Sequence, residues 1–122
     1  MILLSDGDAS TKNTQMYSAS AWASHGSAQC DQSVTAAAAA KAAGTWVYSV
    51  AYGSPTSACA SGGTYTPCTS MQKIASDATR FFTTNASCTW NGGSSPNVVS
   101  SLPAALLQIA YSLNKARLIP TT

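Results

Sequence analysis

Met1-Ile2-Leu3-Leu4-Ser5-Asp6-Gly7-Asp8 is an apolar run that stops abruptly at an acidic Asp-Gly turn. Such a run reads as a strand buried on both faces. It delivers a carboxylate to the carboxyl edge of a parallel sheet, where open α/β sheets bind ligands. A strand of that kind needs neighbours on both sides, so residues 1–122 read as the C-terminal part of a larger α/β domain. Taken alone, the chain is expected to carry an unpaired apolar edge and to be marginal, aggregation-prone or dimeric.

Outward from this strand, helix and strand signals alternate. A polar loop from about Gly7 to Gln29 leads to an Ala-rich helix over Ser33 to Ala43, with Asp31 and Ser33 suited to its N-terminus and Gly44 as its C-cap. Thr45 to Tyr52 is β-branched and aromatic, with Trp46, Tyr48, Val50 and Tyr52 on one face and Val47, Ser49 and Ala51 on the other. Neither face is strongly polar, which suits a parallel strand covered on both sides and makes Trp46 a core residue. A Gly-containing loop then leads to a short helix carrying Met71, Ile74 and Ala75, and Arg80-Phe81-Phe82 forms a third strand. A second polar loop, Thr83 to Ser100, precedes a helix that starts at Ser101 and places Leu102, Leu106, Ile109, Ala110 and Leu113 at helical spacing. The fold class is therefore α/β, a Rossmann-like three-layer α/β/α arrangement of parallel strands in which strand and helix repeat three times.

Composition narrows the function classes. Charged residues make up 8% of the chain, there is no Glu, and Ala, Ser and Thr fill the gap. The net charge of +2 comes from scattered Lys12, Lys41, Lys73, Arg80, Lys115 and Arg117, with no stripe to track phosphates, so nucleic acid is not an expected partner. The apolar runs fall short of the roughly 18 residues that a membrane span requires, so any anchor or export signal is expected upstream.

The four cysteines, Cys30, Cys59, Cys68 and Cys88, have no Cys-x-x-Cys spacing, and His25 is the single histidine. Disulfides in an oxidising, extracytoplasmic compartment fit this better than zinc. All four fall in strand-to-helix loops or at the helix starts that follow, so they gather on the sheet edge to which Asp6 points. Cys59 with Cys68 is the natural local pair, which leaves Cys30 with Cys88. Four cysteines nevertheless allow three connectivities, and the sequence does not choose among them.

The residues resemble a known family. Leu3-Leu4-Ser5-Asp6-Gly7-Asp8 looks like the Leu-Leu-Thr-Asp-Gly strand end of von Willebrand factor A domains, and Trp46 to Gly53 after an Ala-Lys-Ala-Ala-Gly helix end looks like the next strand of that fold. Met71 to Ser76, Arg80-Phe81-Phe82 and the closing Leu102 to Leu118 helix continue the likeness. With the added cysteines, the chain is similar to the von Willebrand A-like part of TadE/TadG-like proteins of tight-adherence (Flp) pilus assembly in bacteria. The resemblance implies that residues 1–122 are the C-terminal portion of one such domain, with the N-terminal strands and the metal-motif segment missing. It also implies a place in the cell envelope, in the periplasm or at the cell surface.

In that family a metal-ion-dependent adhesion site combines Asp-x-Ser-x-Ser, a Thr from a later loop, and the Asp of the Thr-Asp-Gly turn. Only the last maps onto this chain, at Asp6. A hard divalent cation wants about six oxygen ligands, so no cofactor is expected in this chain, and Mg²⁺ or another divalent cation belongs to the full-length parent. Asp6 followed by Gly7 also suits a simple turn cap. Asp31-Gln32-Ser33-Val34-Thr35 mimics the adhesion motif but follows no strand, so helix capping is its reading.

Catalytic groups are scarce. Ser24-His25 lies in a loop without a nucleophile elbow, and the only neighbouring carboxylates, Asp6 and Asp8, share one turn, whereas Asp77 falls on the opposite edge from Asp6. Trp22 and Trp90, in loops on the ligand edge, are the candidates for a contact surface. The expected function is a non-enzymatic interaction module of a pilus-assembly or adhesion protein, with envelope or pilus proteins as partners. The alternative is a secreted metal-dependent hydrolase that uses Asp6 and Asp8.

Overall fold

The computed structural model describes residues 1–8, 29–53, 58–59, 63–90 and 97–115. Three short strands, β1 (Ile2–Ser5), β2 (Tyr48–Ala51) and β3 (Phe81–Thr83), alternate with the helices α1 (Gln29–Ala42), α2 (Pro67–Ile74) and α3 (Leu102–Lys115). A 3-10 turn, Ala78–Arg80, precedes β3. The sheet order is β1-β2-β3 and both pairings are parallel, with Leu4 opposite Val50 and Val50 opposite Phe82. The expected α/β class and parallel sheet are present.

The caps explain where the helices begin and end. Gly44, at φ +84°, closes α1: its N–H donates to the Lys41 carbonyl, and the Thr45 N–H donates to that of Ala40. These two bonds form the Schellman arrangement, in which a left-handed residue satisfies orphan carbonyls. The Thr66 hydroxyl accepts the Thr69 N–H at 3.1 Å and Pro67 occupies the first turn, so α2 starts where both residues are favoured.

Two cores sandwich the sheet. On one face, Ala37 of α1 and Cys68, Met71 and Ile74 of α2 pack with Val47, Ala51 and Phe81, and Leu3 of β1 joins them. On the other, Ala105 and Ile109 of α3 cover Tyr48, Val50 and Phe82, with Val99 alongside. The alternation expected for β2 is therefore observed, with Val47 and Ala51 facing one way and Tyr48 and Val50 the other.

Three expectations are corrected. First, β1 has the unpaired edge expected of the chain taken alone, among the described residues, but it is not buried on both faces: Ile2 is 47% exposed and Leu4 46% exposed. Helix α3 lies over β2 and β3, and no described element covers the β1 side chains on that face. Second, Trp46 is not core but 59% exposed: it precedes β2, and its ring faces the Arg80 guanidinium. Third, α3 turns Leu102, Ala105, Ile109 and Ser112 inward, so Leu106 and Leu113 stay exposed although they fit the helical spacing.

Candidate functional site

The carboxyl ends of the strands are where the site was expected. The Asp6 side chain is exposed, and its Oδ1 accepts the Asp8 N–H at 3.1 Å and the Ser5 hydroxyl at 3.4 Å. The Ser5 hydroxyl oxygen in turn accepts the Gly7 N–H at 3.0 Å. Asp6 thus braces its own turn through local side-chain bonds, as Asp does where a chain reverses. Gly7 sits at φ +81°, and a Cβ there would collide with the first turn of α2. The turn is built on a residue without a side chain, and it leads Asp8 inward.

The disulfide pairing differs from the local-pair expectation. Cys30 bonds Cys59, and Cys68 bonds Cys88. The cause lies in Asp31. Helix α1 begins at Gln29, which puts the Asp31 carboxylate in its first turn, where it accepts the Thr64 N–H at 2.9 Å and the Tyr65 N–H at 3.2 Å. This anchor draws the loop before α2 across to the start of α1 and sets Cys59 beside Cys30. Cys68, on the first turn of α2, faces the core and meets Cys88, which is fully buried. Sequence distance between Cys59 and Cys68 was a poor guide because the helix start turns the two sulfurs to different neighbours.

The same geometry revises the role of the Asp31 segment. Asp31 does not cap α1 but ties a loop, while the Ser33 hydroxyl donates to the Cys30 carbonyl at 2.7 Å and that of Thr35 to the Asp31 carbonyl at 3.1 Å. All three polar groups of the apparent motif are thus engaged in holding backbone.

Asp8 shares the Asp6 turn, as expected, but its contact with a cysteine was not read from the sequence. Its Oδ1 lies 3.3 Å from the Cys59 sulfur, and the Gly7 carbonyl oxygen lies 3.4 Å from that of Cys30. The acidic turn after β1 therefore packs directly on the first disulfide. Asp77 does lie at the opposite edge, ahead of β3, where its carboxylate accepts the Thr79 N–H and hydroxyl and pairs with Arg80. Burial pushes that carboxyl upward, but the Thr79 bonds and the Arg80 charge outweigh it and leave it below the usual carboxylate range.

Trp90 is half-buried, with its ring centroid 5.8 Å from that of Phe81. It borders a cleft of about 270 Å³ with Lys41, Gln72, Lys73, Ala75 and Ser76, and Trp46 borders an adjoining cleft of about 320 Å³. The Arg80 guanidinium lies 3.6 Å from the centre of the Trp46 ring. The Lys41 ammonium donates to the carbonyls of Lys73 and Ala75 at 2.6 and 3.1 Å, and burial and then the Lys73 charge hold its pKa below the ordinary lysine value. Trp22 and the Ser24-His25 pair lie outside the described residues.

Among the described residues, no helix is long and apolar enough to cross a membrane. Two disulfides suit an oxidising, extracytoplasmic compartment. Comparison with protein-family models, curated proteins and solved structures finds no match to this chain.

Proposed function

We propose that the chain is a non-enzymatic, extracytoplasmic interaction module, the C-terminal half of a von Willebrand A-like domain in a tight-adherence pilus-assembly or adhesion protein of the bacterial envelope. The observation that supports this reading most is the placement of Asp6, presented to solvent at the carboxyl end of a parallel edge strand and flanked by loops that two disulfides brace. Disulfide-tied connections at that edge suit recognition of another protein, and ligands of open α/β sheets bind there. One carboxylate does not hold a hard cation alone. Mg²⁺ binding is accordingly assigned to the full-length parent, where Asp6 would supply one oxygen ligand and upstream residues the others.

The test is crosslinking in intact cells of the full-length parent carrying a photoreactive residue at position 8, followed by identification of the captured proteins. Envelope or pilus components are expected, and their yield should drop when Asp6→Ala is added. Capture of no such component would remove the proposal.

A further inference from the structure

We propose that the Cys30–Cys59 junction is a redox-gated zinc site, in which reduction replaces the disulfide by a metal held between Cys30, Cys59 and Asp8. Two sulfurs and a carboxylate oxygen lie within 4.8 Å of one another. The Asp8 Oδ1 is 3.3 Å from the Cys59 sulfur, and the Gly7 carbonyl oxygen, 3.4 Å from that of Cys30, approaches from the same turn. Two thiolates and a carboxylate are a donor set that Zn²⁺ takes, with water or that carbonyl completing four-coordination.

The surroundings hold these donors in place without the covalent bond. Cys30 is fixed in the first turn of α1, and the Asp31 carboxylate anchors Thr64 and Tyr65, downstream of Cys59, to that same turn. Asp8 is set by the Gly7 turn, which is wedged against α2. The Cα atoms of Cys30 and Cys59 are 6.6 Å apart, near the upper end of about 4.4–6.8 Å for disulfides. Two sulfurs can therefore part to flank a metal with little backbone movement. Both cysteines are buried, at 1% and 5% exposure, which protects the bonds to the metal from competing water.

The chemistry balances with a dithiol as reductant. It passes two electrons and two protons to the Cys30–Cys59 bond, giving two thiols and its own disulfide, and Zn²⁺ then displaces the two thiol protons. Disulfide and metal are mutually exclusive, because bonded sulfurs carry no thiolate charge. The loops at this edge are thus crosslinked in either redox state.

The whole chain, oxidised or reduced with excess dithiol that is then removed without air, would be titrated with Zn²⁺ against a chromophoric chelator and with Co²⁺ by absorption. The reduced chain should bind one equivalent and show a thiolate-to-cobalt charge-transfer band, and the oxidised chain should show neither. Asp8→Asn should weaken binding by at least about tenfold. Cys30→Ser with Cys59→Ser should abolish the band, whereas Cys68→Ser with Cys88→Ser should keep it. Zinc binding by the oxidised chain, no binding by the reduced chain, or equal affinity in Asp8→Asn would each overturn the proposal. The wild-type and Asp8→Asn titrations decide the matter even if a cysteine variant fails to fold.

Discussion

A Cβ atom on Gly7 would lie 2.3 Å from the carbonyl oxygen of Pro67 and 2.7 Å from the Met71 side chain. The backbone of the turn after β1 is thus packed directly against α2, with no room for a side chain at position 7. Gly7→Ala should destabilise the chain by about 2–4 kcal/mol, because it adds the cost of a left-handed non-glycine residue to that of overpacking. Thermal unfolding with the disulfides intact would measure it, and a loss of under about 0.5 kcal/mol, ordinary for a surface change, would refute the contact.

Mapping the disulfides in peptides from unreduced protein should recover Cys30 joined to Cys59 and Cys68 joined to Cys88. The bonded residues are 29 and 20 positions apart, and loops of that length constrain the unfolded chain by about 3–4 kcal/mol each. Replacing either pair by serine should lower stability by about that amount in denaturant titration. A Cys59–Cys68 peptide would contradict the anchoring by Asp31.

Stability should fall on acidification through the Asp77 carboxyl. Its folded pKa is depressed, so its contribution is complete above the unfolded value of about 4 and is lost as pH drops below it. Asp77→Asn should flatten this fall when unfolding is followed at successive pH values from neutral to strongly acidic. An unchanged slope would show that another group carries it.

Exposed Ile2 and Leu4 on a strand with no second partner among the described residues favour association. Leu4→Lys should shift the protein toward monomer in sedimentation over a range of concentrations, because a charge on a bare edge opposes pairing. A wild-type chain that stays monomeric throughout would count against this.

Much of the fold was legible because its signals are local. The apolar Ile2 to Leu4, the β-branched stretch before Gly53 and the paired phenylalanines at 81–82 mark strands by their own side chains, and Gly44 marks a helix end by its backbone freedom. What could not be read depends on distant partners. The alanines of α1 carry no apolar stripe that would show which side is covered, and the exposure of Trp46 depends on which distant elements pack near the start of β2. At the candidate site, the turn carrying Asp6 and Gly7 was legible, and so was the gathering of the cysteines at one edge. The pairing of the sulfurs and the approach of Asp8 to one of them were not: the first follows from a carboxylate on one helix reaching the backbone of a loop 33 residues away, the second from the Gly7 turn packing against α2.

The bonds from Lys41 to the end of α2 give the two sides of the sheet unequal resistance to opening. Helices α1 and α2 are stitched near both ends, by Asp31 at one and Lys41 at the other. Among the described residues, the opposite helix is held to β2 by Ala105, Ile109 and the Ser112–Tyr48 hydroxyl contact at 3.1 Å. Amide protons in α3 should therefore exchange with solvent through a partial opening that leaves the α1–α2 half closed, so the molecule sheds one cover before it melts.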